Sequence, residues 1–176
     1  MIDLKQDYFA LFGLVPAFSI DMERLEQAYI DIQARVHPDR FAHLSDTEKR
    51  LSMQWATHAN EAFRTLKGPL TRGHYLLELR GVDPGFDTNT AMAPDFLMEQ
   101  MEWREALGEA TDAADEDALD ELSRRLRQGT RALEAELARQ LDDTGDLEGA
   151  ADSVRRMKFL EKLQHEINDA LTALES

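Results

Sequence analysis

Ile32-Gln33-Ala34-Arg35-Val36-His37-Pro38-Asp39-Arg40-Phe41 decides the fold, because it closes one amphipathic helix and turns the chain toward another. Upstream, Met22, Leu25, Tyr29, Ile32 and Val36 recur at spacings of three and four, which puts them on one helical face. Asp21 or Ser19 is placed to cap that helix. It must stop at His37, since Pro38 has no N–H to donate and disfavours the α conformation in the residue before it. Downstream, Ser45 and Glu48 have capping-box spacing, and Leu51, Trp55, Ala59, Ala62, Phe63 and Leu66 form the next apolar face. Gly68 and Pro69 end it. Two helices joined by so short a loop pack antiparallel on their apolar faces.

Outward from this hairpin, a shorter helix after Pro69 adds Tyr75, Leu76 and Leu79, and the opening segment supplies Tyr8, Leu11 and Leu14 to close the core. Residues 81–94 are rich in Gly, Pro, Asp, Asn and Thr without apolar periodicity and read as a linker. Beyond it lie three helical stretches, residues 95–110, 115–141 and 147–174. Leu119, Leu122, Leu126, Leu133, Leu137 and Leu141 line the middle one, and Val154, Met157, Leu160, Leu163, Ile167, Leu171 and Leu174 line the last. A long coiled coil is the rival reading, but the Asp-rich and Thr-Gly-Asp breaks favour helices folding back into a three-helix bundle. No stretch reads as alternating strand, so the expected class is all-α. The expected organisation is an N-terminal domain over 1–80, a linker over 81–94 and a C-terminal bundle over 95–176.

Charge separates the two halves. The formal charge is -15 at pH 7, with 35 acidic against 20 basic side chains, so most of the surface repels phosphate backbones and nucleic acid is excluded as a partner. Residues 1–80 hold 10 basic and 11 acidic side chains, whereas residues 95–176 hold 10 and 22. Cysteine is absent, which removes disulfides, thiolate nucleophiles and thiolate metal sites. No apolar run approaches the ~20 residues needed to cross a bilayer, and the stretch from Tyr8 to Phe18 makes a poor secretory signal. A cytoplasmic protein with no membrane partner is the simplest expectation.

Two features carry potential chemistry. His37 and Asp39 offer a donor and a charged acceptor on a loop that Pro38 stiffens, so a partner would bind with little ordering entropy lost. The second feature is the helix after the linker. At about 100° per residue, Phe96, Trp103, Ala106, Leu107 and Ala110 share one arc, while Leu97, Met98 and Met101 share another bordered by Glu102, Glu105 and Glu109. A bundle helix needs one apolar stripe, so the second is a candidate protein-binding patch with an acidic rim, to which Phe159 is placed to contribute.

The His37-Pro38-Asp39 string between two helices, with Arg40-Phe41 after it and Asn60-Glu61-Ala62-Phe63-Arg64-Thr65-Leu66 in the following helix, resembles a J domain. The resemblance narrows to the HscB family. It is carried by Asp7-Tyr8-Phe9, Leu11-Phe12-Gly13-Leu14, Pro69-Leu70, Arg72, Tyr75-Leu76-Leu77, Phe96-Leu97-Met98-Glu99-Gln100, Arg104-Glu105, Val154-Arg155-Arg156 and Phe159-Leu160-Glu161-Lys162-Leu163. These matches span nearly the whole chain.

The resemblance implies a J-type co-chaperone whose His37, Pro38 and Asp39 stimulate an HscA-type, DnaK-like ATPase, with Arg24, Arg35 and Arg40 as accompanying cations. It implies that Leu97, Met98, Met101, Glu102, Glu105, Glu109 and Phe159 capture an IscU-type iron–sulfur scaffold protein. Neither a cofactor nor a metal is implied. Glycine/phenylalanine-rich and cysteine-rich zinc segments are missing, which disfavours the general DnaJ architecture. Ile30 and Asp31 stand where many J domains carry basic residues.

Rival functions fare less well. An enzyme built on His37 and Asp39, or a metal site recruiting His43, His58, His74 and His165, lacks a shaped pocket and any HExxH-like spacing. An acidic helical adaptor explains the leucine seams but leaves the His-Pro-Asp corner without a role. A J-domain co-chaperone with a different client is the nearer alternative.

Overall fold

The computed structural model describes residues 2–86 and 93–176, Pro38 by its backbone alone. Every regular element among the described residues is helical. Two compact units result, Met1–Leu79 and Arg80–Ser176, an N-terminal J domain built on an antiparallel hairpin and a C-terminal three-helix bundle.

In the first unit a short helix α1 (Tyr8–Leu11) precedes α2 (Met22–Val36), a 3-10 turn (Pro38–Phe41), α3 (Asp46–Lys67) and α4 (Pro69–Leu79). Asp21 caps α2 through the amides of Glu23 and Arg24. Ser45 and Glu48 form a reciprocal capping box at the start of α3, satisfying amides that would otherwise face water alone. Leu25, Ile32 and Val36 of α2 are buried with Trp55, Ala59, Ala62 and Leu66 of α3. Tyr29 stacks on Phe63 with ring centroids 4.1 Å apart, and its hydroxyl donates to Asn60 Oδ1. The two helices are thus held by both an apolar seam and a polar tie.

The closing side of this core differs from the sequence expectation in two places. Phe9 and Phe12 are the buried residues of the opening segment together with Leu11, while Leu14 is half-buried. Leu79 is 44% exposed and Leu77 is buried beside Leu76. The phase of α4 is set by Arg72, a buried arginine whose Nε donates to Phe18 O at 2.6 Å and whose Nη1 donates to Leu66 O at 2.7 Å. Its guanidinium lies 4.8 Å from the centre of the Phe18 ring. Two loop and helix-end carbonyls therefore meet a planar, forked donor that a lysine's point charge would not reproduce.

The second unit contains α5 (Pro94–Asp112), α6 (Glu116–Ala138), a π-helical turn (Arg139–Thr144) and α7 (Leu147–Leu174). Leu107, Ala110, Leu119, Leu122, Leu126, Leu160, Leu163 and Ile167 form its buried cluster. Burying a side chain of this size contributes ~1.5–3 kcal/mol before entropic costs, so the seam is the main source of the bundle's stability. Leu174, the last residue of the expected seam, is exposed in the final turn of α7. Asp115 and Asp146 cap α6 and α7. The turn from α5 to α6 places Ala114 at φ 50°, with the Asp115 amide donating back to Ala110 O. Gly145, at φ 68°, makes the corresponding left-handed turn before α7.

Of the expected linker, residues 87–92 lie outside the described residues. Its beginning packs on the bundle: Arg80 Nη1 donates to Leu141 O at 2.7 Å, and Arg155 Nη1 donates to Pro84 O at 2.9 Å.

Candidate functional site

The His-Pro-Asp corner begins where α2 runs out of helix. His37 takes an extended conformation, φ −58° and ψ 131°, as the residue before a proline must, and the chain enters the 3-10 turn. Two contacts from α3 fix its base. Ser52 Oγ donates to Val36 O at 2.7 Å in the buried seam, satisfying one of the carbonyls left over at the end of α2. Phe41, at the far end of the turn, meets Trp55 edge to face at 6.2 Å.

Above that base, the functional groups face water. The side chains of His37 and Asp39 are 59% and 91% exposed. His37 Nδ1 accepts from the Asp39 amide at 3.2 Å, so in the neutral imidazole Nε2 carries the proton and is the outward donor. Asp39 Oδ2 stands 3.5 Å from His37 Nδ1. Pro38 contributes its backbone to the turn.

The three cationic candidates are exposed and not gathered into one cluster. Arg24 and Arg35, eleven residues apart on α2, come round to nearly the same face at opposite ends of the helix, and Arg24 reaches toward Gly13 O at 3.4 Å. Asp31 lies between them, accepting from Gln27, and Arg40 sits in the 3-10 turn.

In the bundle, α5 is seated by its inner face. Phe96, Leu107 and Ala110 are buried. Arg156 of α7 lies over the Phe96 ring at 4.7 Å and pairs with Glu99 and Asp152. The opposite face is left bare: Leu97, Met98 and Met101 are 46%, 63% and 71% exposed. Leu97 and Met101 line a shallow groove with Gln100, Arg104 and Glu105. Glu102 and Glu109 are exposed on the same helix but do not line that groove.

Phe159 is half-buried, edge-on to Phe96 at 5.8 Å with the Arg104 guanidinium 5.6 Å from its ring centre. It is therefore part of the bundle's packing as well as of its surface. Arg104 is fixed in turn by Glu166 at 2.8 Å.

Sequence reasoning missed Ser52 and named Arg104 only as part of the family resemblance, without a role. Ser52 is the one small polar residue within the buried row of α3, three before Trp55, and a polar residue on an apolar face was the available signal. Arg104 becomes notable only when α7 brings Phe159 and Glu166 to it.

The histidines set aside as metal ligands are dispersed. His58 packs edge-on against Tyr8, His74 pairs with Glu78, and His43 and His165 are exposed. Among the described residues no group of three His, Asp or Glu is placed to hold a metal ion, and no helix is long and apolar enough to cross a membrane.

Comparison with known proteins covers nearly the whole chain. Residues 92–168 match the family model described as HSCB C-terminal oligomerisation domain. A "Co-chaperone protein HscB homolog" from Azoarcus sp. (strain BH72) is 62% identical over 175 residues, covering 99% of both chains. Among solved structures, the chaperone HscB from Vibrio cholerae superposes with a TM-score of 0.85 at 38% identity, covering 96% of this chain and 99% of that one. The human co-chaperone protein HscB gives a TM-score of 0.88 at 32% identity, covering 94% and 82%.

Proposed function

The chain belongs to the HscB family of co-chaperones, and on that premise we propose that it serves iron–sulfur cluster assembly as a non-enzymatic, cytoplasmic J-type co-chaperone. Its C-terminal bundle captures an IscU-type scaffold protein. Its J domain delivers that client to an HscA-type, DnaK-like chaperone and stimulates the chaperone's ATPase. Residues 1–80 meet the chaperone, residues 81–94 connect, and residues 95–176 meet the client.

One observation carries the reading: the exposed imidazole and carboxylate of His37 and Asp39 stand on a corner whose base is anchored by Ser52 and Phe41. A donor and an acceptor held on an anchored base and open to water are suited to a partner's surface. In this role His37 offers its outward N–H and Asp39 its charge, with Arg24, Arg35 and Arg40 adding long-range attraction to an acidic partner. The ATP and the catalytic groups belong to the chaperone.

The bare face of α5 supports the second half of the reading. Full burial of Leu97, Met98 and Met101 against a client contributes ~1.5–3 kcal/mol each, offset by the entropy of association and ordering. The net affinity is modest, which suits a carrier that must let go. Methionine's flexible thioether also conforms to a client's contours.

The deciding experiment measures steady-state ATP hydrolysis by the cognate chaperone with wild-type chain and with His37→Gln. Stimulation is lost in the variant while its helical circular dichroism is unchanged. Retained stimulation would leave the adaptor reading standing.

The description of the matching family model names oligomerisation, and the same apolar face would serve a second copy. Sedimentation with and without scaffold protein separates these readings, because self-association through Leu97 and Met101 competes with client binding.

A further inference from the structure

The half of the chain with the largest acidic excess contains a cleft lined by cations. Arg104 of α5 and Arg155, Lys158 and Lys162 of α7 surround a space of about 270 Å³ beside Phe86 and Phe159, and no carboxylate is among its lining residues. Elsewhere in the bundle Arg124 pairs with Glu121 and Arg139 with Glu136 on their own helical runs. In the cleft the pairing is incomplete. Arg104 pairs with Glu166, and Arg155 donates to Pro84 O and meets Asp152 at 3.7 Å while its Nε–H is buried with no hydrogen-bond partner among the described residues. Lys158 rests over the Phe86 ring at 3.9 Å. Lys158 and Lys162 are one helical turn apart, exposed, and form no ion pair among the described residues.

Position gives this charge a meaning. Arg104 borders both this cleft and the shallow groove of Leu97 and Met101. The bare apolar face thus has acidic residues along α5 and, past Arg104, a cationic hollow with aromatic walls.

We infer that the cleft between Arg104 and Lys162 receives a carboxylate-bearing segment of the client protein, so that the bundle reads an apolar contact followed by an acidic one. This rests on the proposed capture of a client by the α5 face and adds the chemistry of what the client presents. Aromatic walls lower the local polarity and strengthen each lysine–carboxylate contact. The surrounding excess of acid repels an anionic segment everywhere else, so the cleft supplies register more than raw affinity.

The test is calorimetric titration of the full chain with IscU-type scaffold protein at low and high chloride. Four proteins are compared: wild type, Lys158→Glu/Lys162→Glu, Lys158→Gln/Lys162→Gln, and Leu97→Ala/Met101→Ala. Charge reversal is expected to weaken binding at least about tenfold at low salt, the glutamine pair less so, and both are expected to flatten the salt dependence. The Leu97/Met101 pair is expected to weaken binding with the salt dependence intact. Both lysines are exposed, and circular dichroism of the glutamine pair guards against a folding artefact.

Wild-type affinity and salt dependence in both lysine pairs, with loss in the Leu97/Met101 pair, overturns the inference and keeps the client-capture reading. No binding by wild type removes the reading and the inference together. Inorganic phosphate competing at constant ionic strength as well as the scaffold does would make the cleft a general anion site, which also overturns the inference. So would self-association that vanishes on charge reversal, since a second copy would then be the occupant.

Discussion

Ser52 Oγ lies 2.7 Å from the carbonyl oxygen of Val36, one residue before the His-Pro-Asp corner, and both residues are buried. A hydroxyl on α3 thus fixes the end of α2 at the point where the chain leaves it. Ser52→Ala leaves that carbonyl buried without its donor, at a cost of about 1–3 kcal/mol. Urea unfolding in a Trp103→Phe background, where Trp55 alone reports, checks the stability. Chaperone stimulation is expected to fall severalfold at saturating protein, short of the loss caused by His37→Gln. Wild-type stimulation in the folded variant would show that the corner is held without Ser52.

Leu97 and Met101 are exposed and stand outside the bundle's buried cluster, so Leu97→Ala/Met101→Ala is expected to shift the melting temperature by only a few degrees. Each truncation at the centre of an interface costs about 1–2 kcal/mol of binding. The pair therefore weakens scaffold affinity by roughly thirty- to several-hundredfold. Stimulation of the chaperone in the absence of scaffold is unchanged. Equal loss of both activities would contradict the division of labour between the two units.

Ala114 occupies left-handed backbone at φ 50°, in the turn where the Asp115 amide returns to Ala110 O at 3.0 Å. That conformation costs a side-chain-bearing residue ~1–2 kcal/mol, and glycine adopts it without penalty. Glycine's freedom in the unfolded chain takes back ~0.4–1 kcal/mol. Ala114→Gly therefore stabilises the bundle by somewhat under 1 kcal/mol, read as a raised unfolding midpoint. A lowered midpoint would mean that the strain is absorbed elsewhere.

Glu48 has its carboxyl held below the ordinary value of 4.5 by the hydrogen bond from the Ser45 amide, and next by that from the Ser45 hydroxyl, against a small opposing effect of desolvation. A depressed carboxylate contributes stability that is fully present above the unfolded value and fades as pH falls through the folded one. The start of α3 therefore frays on acidification below about pH 4.5. Carbon-detected titration of Glu48 is expected to return toward its ordinary value in Ser45→Ala, and an unmoved titration would refute the capping contribution.

How far the sequence revealed these features depends on the range of the interactions involved. The hairpin was legible because Pro38 ends α2 by local stereochemistry and because Leu25, Ile32, Trp55, Ala59 and Leu66 keep helical spacing over several turns. The bare arc of Leu97, Met98 and Met101 was legible for the same reason, since one helix carries two apolar faces. The role of Phe9 and Phe12 was not, because α1 is four residues long and shows no period. The phase of α4 was misread at Leu79 because a charged Arg72 takes a core position through hydrogen bonds to Phe18 and Leu66, which no hydrophobic pattern records. The cationic cleft joins residues of α5 and α7 with Phe86, and only tertiary structure brings them together.

The order in which helices pair has a kinetic consequence. α2 packs on α3, α3 on α4 and α6 on α7, each against its successor in the chain, with only Gly145 and Asp146 between the π-helical turn and α7. Such neighbour-to-neighbour assembly keeps contact order low, and helical proteins of low contact order collapse to their native state within microseconds to milliseconds. Each unit can therefore close its apolar seams between helices adjacent in sequence, without waiting for distant parts of the chain.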